Sequence, residues 1–452
     1  MKHANTTAKR KVAPSKMIAG DPIARAAKAD PFGDRIHTIL FVLWAFMLPL
    51  GMIPWAKDVV FGGLIIWSVL RATIGQVGYA WSDAPRSPIA WLLVAWVVWS
   101  SLSLTWSPNP GFGADQLGGL RLLAVPFAVW PVLRKWPMAL GAFIIAGTLV
   151  AAGIVAQSVG WIPTDTPARI RRPAMSMGVW NAGMVCLAAL IGHFLLIGIK
   201  AGAASVVWHI AGAVITLMAV VLNATRSCWL ALAVVGVGGI LILVALIPTL
   251  RWRIFLIATA TTAGVAVAAT IDEAFLESRG ATIVIQRMVP AIEQFNDSTW
   301  LPANRGVVNY RRKMWNGGRN MMTRKPIAGW GLGGLSTGLK TQPGLAFTWP
   351  YNKTTIDQHQ FNPHSSFVYQ AASTGLVGLS LMIGVLAMAL IQMGLRIRGE
   401  PVIIVPLAML AAWTIVSAFE STLLAGVGVG LLAMFLIPAM AGGRRSAHQR
   451  RT

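Results

Sequence analysis

At 452 residues, with 56% apolar side chains, 12% charged and two cysteines, the chain is too apolar for a soluble globule and too poor in cysteine for a disulfide framework. A formal net charge of +23 would suit a nucleic-acid partner. Much of that charge, however, lies in terminal tails and in short loops between apolar runs, where membrane proteins carry it.

Residues 1–35 hold Lys2, Lys9, Arg10, Lys11, Lys16, Arg25, Lys28 and Arg35 with few large apolar side chains. Such a stretch is expected to lack fixed structure or to lie on an anionic leaflet, and no small-residue cleavage site follows the first apolar run. Apolar segments then recur near residues 36–54, 59–75, 89–105, 117–133, 138–161, 174–199, 205–222, 228–250, 254–271, 366–395, 402–419 and 422–441. They predict an all-α polytopic membrane protein of about twelve transmembrane helices. One membrane domain spans 36–441, and a short basic tail, 442–452, follows it. Trp55, Trp81, Trp106, Trp136, Trp161 and Trp252 fall near segment ends, as an interfacial belt requires.

With the amino terminus in the cytoplasm, Arg71, Arg86, Arg134, Lys135, Lys200, Arg251, Arg253, Arg396, Arg398, Arg444 and Arg445 all fall on that side. The same parity puts three arginine-bearing features outside: the link 162–173 with Arg169, Arg171 and Arg172, the turn 223–227 with Arg226, and the long loop 272–362. An arginine at the centre of a membrane helix costs about 2.5–3.5 kcal/mol, less toward its end, so such residues usually meet an anion. Snorkelling to lipid phosphate is the alternative.

The loop, about 90 residues long, exceeds ordinary connections and is expected to be functional or folded in its own right. Residues 275–295 alternate at roughly helical spacing, and 305–324 read as a basic helix with Arg305, Arg311, Arg312, Lys313, Arg319 and Arg324. Pro326 stops it, and a glycine-rich turn follows at 329–334. That turn contains G-x-G-x-x-G, but no strand precedes it and no long helix opens from it; close packing of backbone against a neighbouring helix is the better account. The loop ends at Pro363 and His364, and an apolar segment begins at once.

A histidine at the foot of a span can accept a proton from an attacking hydroxyl, and outward arginines can neutralise a diphosphate without a metal. Glu420, at the outer end of the eleventh segment, could orient that histidine or hold a sugar hydroxyl; a buried acid paired with one of the arginines is the alternative. On spacing alone, a capping or loop histidine accounts for His364 equally well. His359 and His364 lack a carboxylate or thiol to complete a metal set, so neither metal nor cofactor is expected. A two-carboxylate glycosidase pair would have to be assembled from Asp272, Glu273, Asp357 and Glu420, which is disfavoured. Substrates that join a diphosphate to a membrane-embedded tail on the outer face of a cytoplasmic membrane are chiefly polyprenyl-diphosphate sugars. They point to glycosyl transfer driven by the donor's own glycosyl–phosphate bond. A transporter would show internal repeats and midplane charges, and a nucleic-acid channel stacked aromatics at base spacing; neither pattern is visible.

His364-Ser365, Gly375 and Gly378 fit the pattern His, then Asn, Ser or Gln, nine residues, Gly, two residues, then Gly, Thr or Tyr. Upstream stand Arg311-Arg-Lys-Met-Trp315, then Arg324-Lys-Pro-Ile-Ala-Gly-Trp-Gly-Leu-Gly333, and Thr225-Arg226-Ser227 opens a span. On these motifs the carboxy-terminal half resembles the bacterial O-antigen ligase and O-antigen polymerase superfamily. The resemblance implies a C-type glycosyltransferase-like helical membrane fold with one large helical periplasmic loop. It implies a multi-pass protein of the bacterial inner membrane whose active site faces the periplasm. It further implies metal-independent transfer from an undecaprenyl-diphosphate-linked glycan to a hydroxyl, on lipid A–core for a ligase or on another carrier-linked glycan for a polymerase. By the same resemblance Arg226 and Arg311 or Arg312 would bind the diphosphate, with Arg172 and Arg305 as further candidates. His364 would be the base or an orienting group, and Glu420 stands where the family often has an acid. Ser365 takes the place of the commoner asparagine, and the link with Arg172 lacks the family's Pro-Asn signature. The oligomeric state stays open.

Overall fold

Four helices begin in one way, with a capping side chain followed at once by proline: Asp21–Pro22, Asp30–Pro31, Ser87–Pro88 and Asn109–Pro110. The cap oxygen takes an N–H that has no partner within the helix, and proline supplies a preset φ where its missing N–H costs nothing. The computed structural model describes residues 21–51, 54–74, 77–158, 161–162, 175, 179–199, 203–223, 225–246, 305–340 and 362–441. All regular structure among them is helical. In chain order the helices are α1 (Pro22–Ala29), α2 (Pro31–Met47), α3 (Pro54–Thr73), α4 (Pro88–Leu102), α5 (Pro110–Leu120), α6 (Val125–Ala128), α7 (Trp136–Ser158) and α8 (Val179–Ile199). They continue as α9 (Ala203–Asn223), α10 (Arg226–Leu246), α11 (Arg305–Arg324), α12 (Leu335–Lys340), α13 (Ser366–Gly394), α14 (Ile404–Phe419) and α15 (Gly426–Met440). Six described helices are long and apolar enough to cross a bilayer, or seven if the bent pair Trp55–Thr73 and Gly78–Arg86 is one span. The chain is an all-α polytopic membrane protein. The expected segment 254–271 and the helix expected at 275–295 lie outside the described residues.

Three expectations change. Segment 117–133 is not one straight span. It runs through the end of α5, a 3-10 turn at Arg121–Ala124, α6, and a second 3-10 stretch at Trp130–Lys135, with non-helical angles at Val132. Pro126 and Pro131 lie in this run, and proline removes a ladder N–H and clashes with the preceding turn. Irregular backbone at membrane depth survives only inside protein. Accordingly, Trp81 Nε1–H donates to the carbonyl of Phe127 at 2.8 Å, and Ser68 Oγ–H to that of Ala128 at 2.8 Å.

The second change is at the amino terminus. The tail expected to lack fixed structure as far as residue 35 is folded from Asp21 onward. Arg71 is 2% exposed in its side chain; its Nε donates to Asp30 Oδ2 at 2.9 Å, and its Nη1 to His37 Nδ1 at 3.2 Å. Asp34 Oδ1 lies 3.9 Å from the same guanidinium, Asp21 pairs with Arg134, and Arg25 stands 5.3 Å from the Tyr79 ring centroid. Acids within a basic stretch thus tie it to one end of the bundle.

The last helix, α15, is buried on every side from Val427 to Met440. A helix apolar all round belongs inside a protein. It packs against α13, α14, α6 and the turn Arg121–Ala124. Segment 422–441 is therefore a short internal helix behind a 3-10 turn, Thr422–Leu424.

At the end opposite α1, the glycine turn after α11 docks on a break in α13. Gly375 adopts φ 69° and ψ −170°, which only glycine tolerates, and interrupts the helical ladder there. The turn takes up the freed groups: Trp330 N–H donates to Ala372 O (3.0 Å) and Gly331 N–H to Ser373 O (2.7 Å), while Leu376 N–H donates to Pro326 O (2.7 Å). A Cβ on Gly375 would stand 2.1 Å from Ile327 O. On its other face the turn meets the end of α4, where Leu332 N–H donates to Ser103 Oγ at 3.1 Å and Trp106 Nε1–H to Ala328 O at 3.3 Å. The glycines therefore serve close backbone packing, as their sequence context suggested.

Candidate active site

The site is built where α13 starts and α14 stops. Ser365 caps α13, its Oγ accepting from Val368 N–H at 3.3 Å. Ser366 reaches the chain leaving α14: its N–H and Oγ–H donate to the carbonyl of Glu420 at 3.2 and 3.1 Å. Thr422 Oγ1 lies 3.0 Å from Ser366 Oγ and 2.7 Å from Ser417 Oγ. These hydroxyls satisfy backbone that Glu420, extended at φ −138° and ψ 149°, turns out of the helix.

That knot presents Glu420 to His364. Nδ1 of His364 lies 3.4 Å from Glu420 Oε2; the histidine side chain is 35% exposed and the glutamate 9%. His364 itself holds φ 49°, the left-handed region that few non-glycine residues enter. A carboxylate on Nδ1 favours the tautomer whose Nε2 carries the lone pair, the arrangement a proton acceptor needs. This contact joins residues 56 apart in sequence.

Other elements converge on this end. On α11, Gly318 lies so close to Val368 of α13 that a Cβ would meet its Cγ1 at 2.4 Å, and the Trp315 ring lies 6.1 Å from that of Phe419, the residue before Glu420. Arg305 opens α11, and Arg311 and Arg312 lie within it, ahead of Trp315. Arg226 is the first residue of α10 and is exposed. Its turn is held by Thr225 Oγ1–H, which donates to Asn223 Oδ1. α10 packs against α14, the helix that ends at Glu420. Arg172 lies outside the described residues.

The structure thus brings His364 and Glu420 into contact and gathers Arg226 and α11 at their end of the bundle. Residues that sequence reasoning passed over are Asn362, Ser366, Ser417, Ser421 and Thr422. For Ser417, Ser421 and Thr422 the signal was a polar cluster, 417–422, interrupting an apolar run. Among the described residues no three of His, Cys, Asp and Glu come together as a metal set.

Residues 211–383 match a family model described as O-Antigen ligase. No curated protein matches the chain. The matched stretch runs from α9 into α13 and includes Arg226, α11, the glycine turn and His364, whereas Glu420 lies beyond it. The chain therefore carries an O-antigen ligase-like membrane domain, which supports its place in the superfamily of O-antigen ligases and polymerases and, in general terms, their glycan-transferring activity.

Proposed function

We propose that the protein is an O-antigen ligase that moves a glycan from undecaprenyl diphosphate to a hydroxyl of lipid A–core on the periplasmic face of the inner membrane. The observation that carries this reading is the His364–Glu420 contact at the end of the bundle where Arg226 and α11 also lie. Glu420 orients the imidazole, and His364 takes the proton of the acceptor hydroxyl as its oxygen attacks the anomeric carbon. The bond between that carbon and the diphosphate breaks, and the negative charge left on the diphosphate is met by Arg226 and by Arg311 or Arg312, with Arg305 and Arg172 as further cations. Arginine forks bind such an anion through paired N–H groups, so no metal is required for this step.

Deletion of the coding sequence followed by analysis of surface polysaccharide and of carrier-linked glycan tests the assignment. A ligase leaves lipid A–core uncapped while carrier-linked polymer accumulates. A core bearing a single repeat assigns the chain to the polymerase branch instead, and unchanged lipopolysaccharide with loss of another surface polymer removes lipid A–core as acceptor. In the complemented strain Arg226→Lys should remain severely impaired, because one ammonium does not reproduce a fork; wild-type transfer by that variant removes the diphosphate role of Arg226.

A further inference from the structure

His364 occupies a backbone conformation that persists only when its surroundings hold it. The holding group is the side-chain carbonyl of Asn362. Its Oδ1 accepts from His364 N–H at 2.9 Å, an Asx turn across the buried Pro363, and accepts also from the hydroxyl of Ser421. One oxygen thereby ties together two segments 59 residues apart, one carrying His364 and the other Glu420. The hydroxyls of Ser366 and Thr422 secure the glutamate's backbone; Asn362 links that strip of chain to the histidine's backbone.

We propose that Asn362 is a positioning residue for His364: its amide oxygen sets the angle and distance at which the imidazole meets Glu420. The proposal rests on the reading of His364 as the proton acceptor. Asn362 acts through the backbone of its neighbour and needs no contact with either substrate. At 3.4 Å the His364–Glu420 pair sits at the long end of hydrogen-bond reach, so a small change in the histidine's backbone separates them.

The test uses the full chain purified in detergent, with carrier-linked glycan extracted from the deletion strain as donor and uncapped lipid A–core from the same strain as acceptor. Asn362→Ala should lower turnover about tenfold to a hundredfold, the usual effect of misplacing a reacting group by about 1 Å. The donor KM and the melting temperature should stay near those of the unmodified protein. Asn362→Asp keeps an acceptor oxygen and should recover most of the turnover; Ser421→Ala, which removes one of the two donors, should fall between. If Asn362→Ala does not accumulate in the membrane, Asn362→Gln, with its amide one methylene farther out, should show the same selective loss of turnover. Unchanged turnover in Asn362→Ala, or equal loss in Asn362→Ala and Asn362→Asp, overturns the proposal, as does a raised donor KM with turnover intact. His364→Ala is assayed alongside: if it is inactive while Asn362→Ala is unaffected, positioning by Asn362 fails and the proton acceptor stands. An active His364→Ala removes the proton acceptor, and the proposal with it.

Discussion

Each end of the bundle holds a histidine in a polar cluster that includes a carboxylate, and the two are built in opposite ways. At the α1 end His37 is wholly buried, and one neutral tautomer uses both ring nitrogens: Nδ1 accepts from Arg71, and Nε2–H faces Ser68 Oγ at 3.3 Å. Asp30 and Asp34 stand around the same arginine. At the other end His364 leans one nitrogen on Glu420 and leaves its ring about one third exposed, on a left-handed backbone. The first cluster is enclosed by its own partners and closes a folded tail onto the membrane domain. The second is held mainly through backbone, which leaves the ring accessible. Enclosure makes a latch; accessibility with imposed geometry makes a candidate site.

Substitutions should separate the two. His364→Ala is expected to lower glycan transfer by about 10²–10⁴-fold, the usual contribution of a general base, with membrane level and melting temperature unchanged; transfer assayed with carrier-linked glycan and lipid A–core checks it. Arg71→Ala should do the reverse. It leaves Asp30, one quarter exposed, without its buried partner. Removing one partner of a fully buried pair costs about 3–5 kcal/mol, so this part-buried pair should cost less, about 1–3 kcal/mol, read as a lower thermal unfolding midpoint in detergent. Activity per folded molecule should persist, and its selective loss would erase the contrast drawn between the ends. Gly375→Ala should cost about 1–3 kcal/mol through its backbone angle alone. It should also loosen the glycine turn, so that limited proteolysis cuts within residues 325–340 sooner than in the unmodified protein. The smallest effect is expected of Ser68→Ala, about 1 kcal/mol for the lost bond to the Ala128 carbonyl, with transfer unchanged.

The sequence was informative where the cause is local. The apolar runs announced the long helices, because that signal acts within a few residues; α1, inside the stretch expected to lack fixed structure, was missed although an Asp21–Pro22 pair opens it. The glycines at 329, 331 and 333 all proved to carry positive φ, as close backbone packing demands. Hydropathy misread segment 117–133, since an average over a window does not register where two prolines divide a helix. It also could not tell the internal helix α15 from a lipid-facing one: lipid and protein interior are equally apolar.

The candidate site divides along the same line. His364, Arg226 and the basic helix could be singled out from residue type and position along the chain. Whether Glu420 would touch His364, and that Asn362 would join the two, depended on how α13 and α14 pack, because those residues are 56 and 59 apart in sequence. Composition and local pattern determined that this is a helical membrane protein and singled out one histidine and several arginines as candidates. Only the tertiary structure decided which carboxylate that histidine meets, since a contact between distant segments is set by side-chain packing along whole helices and leaves no periodic trace in either segment.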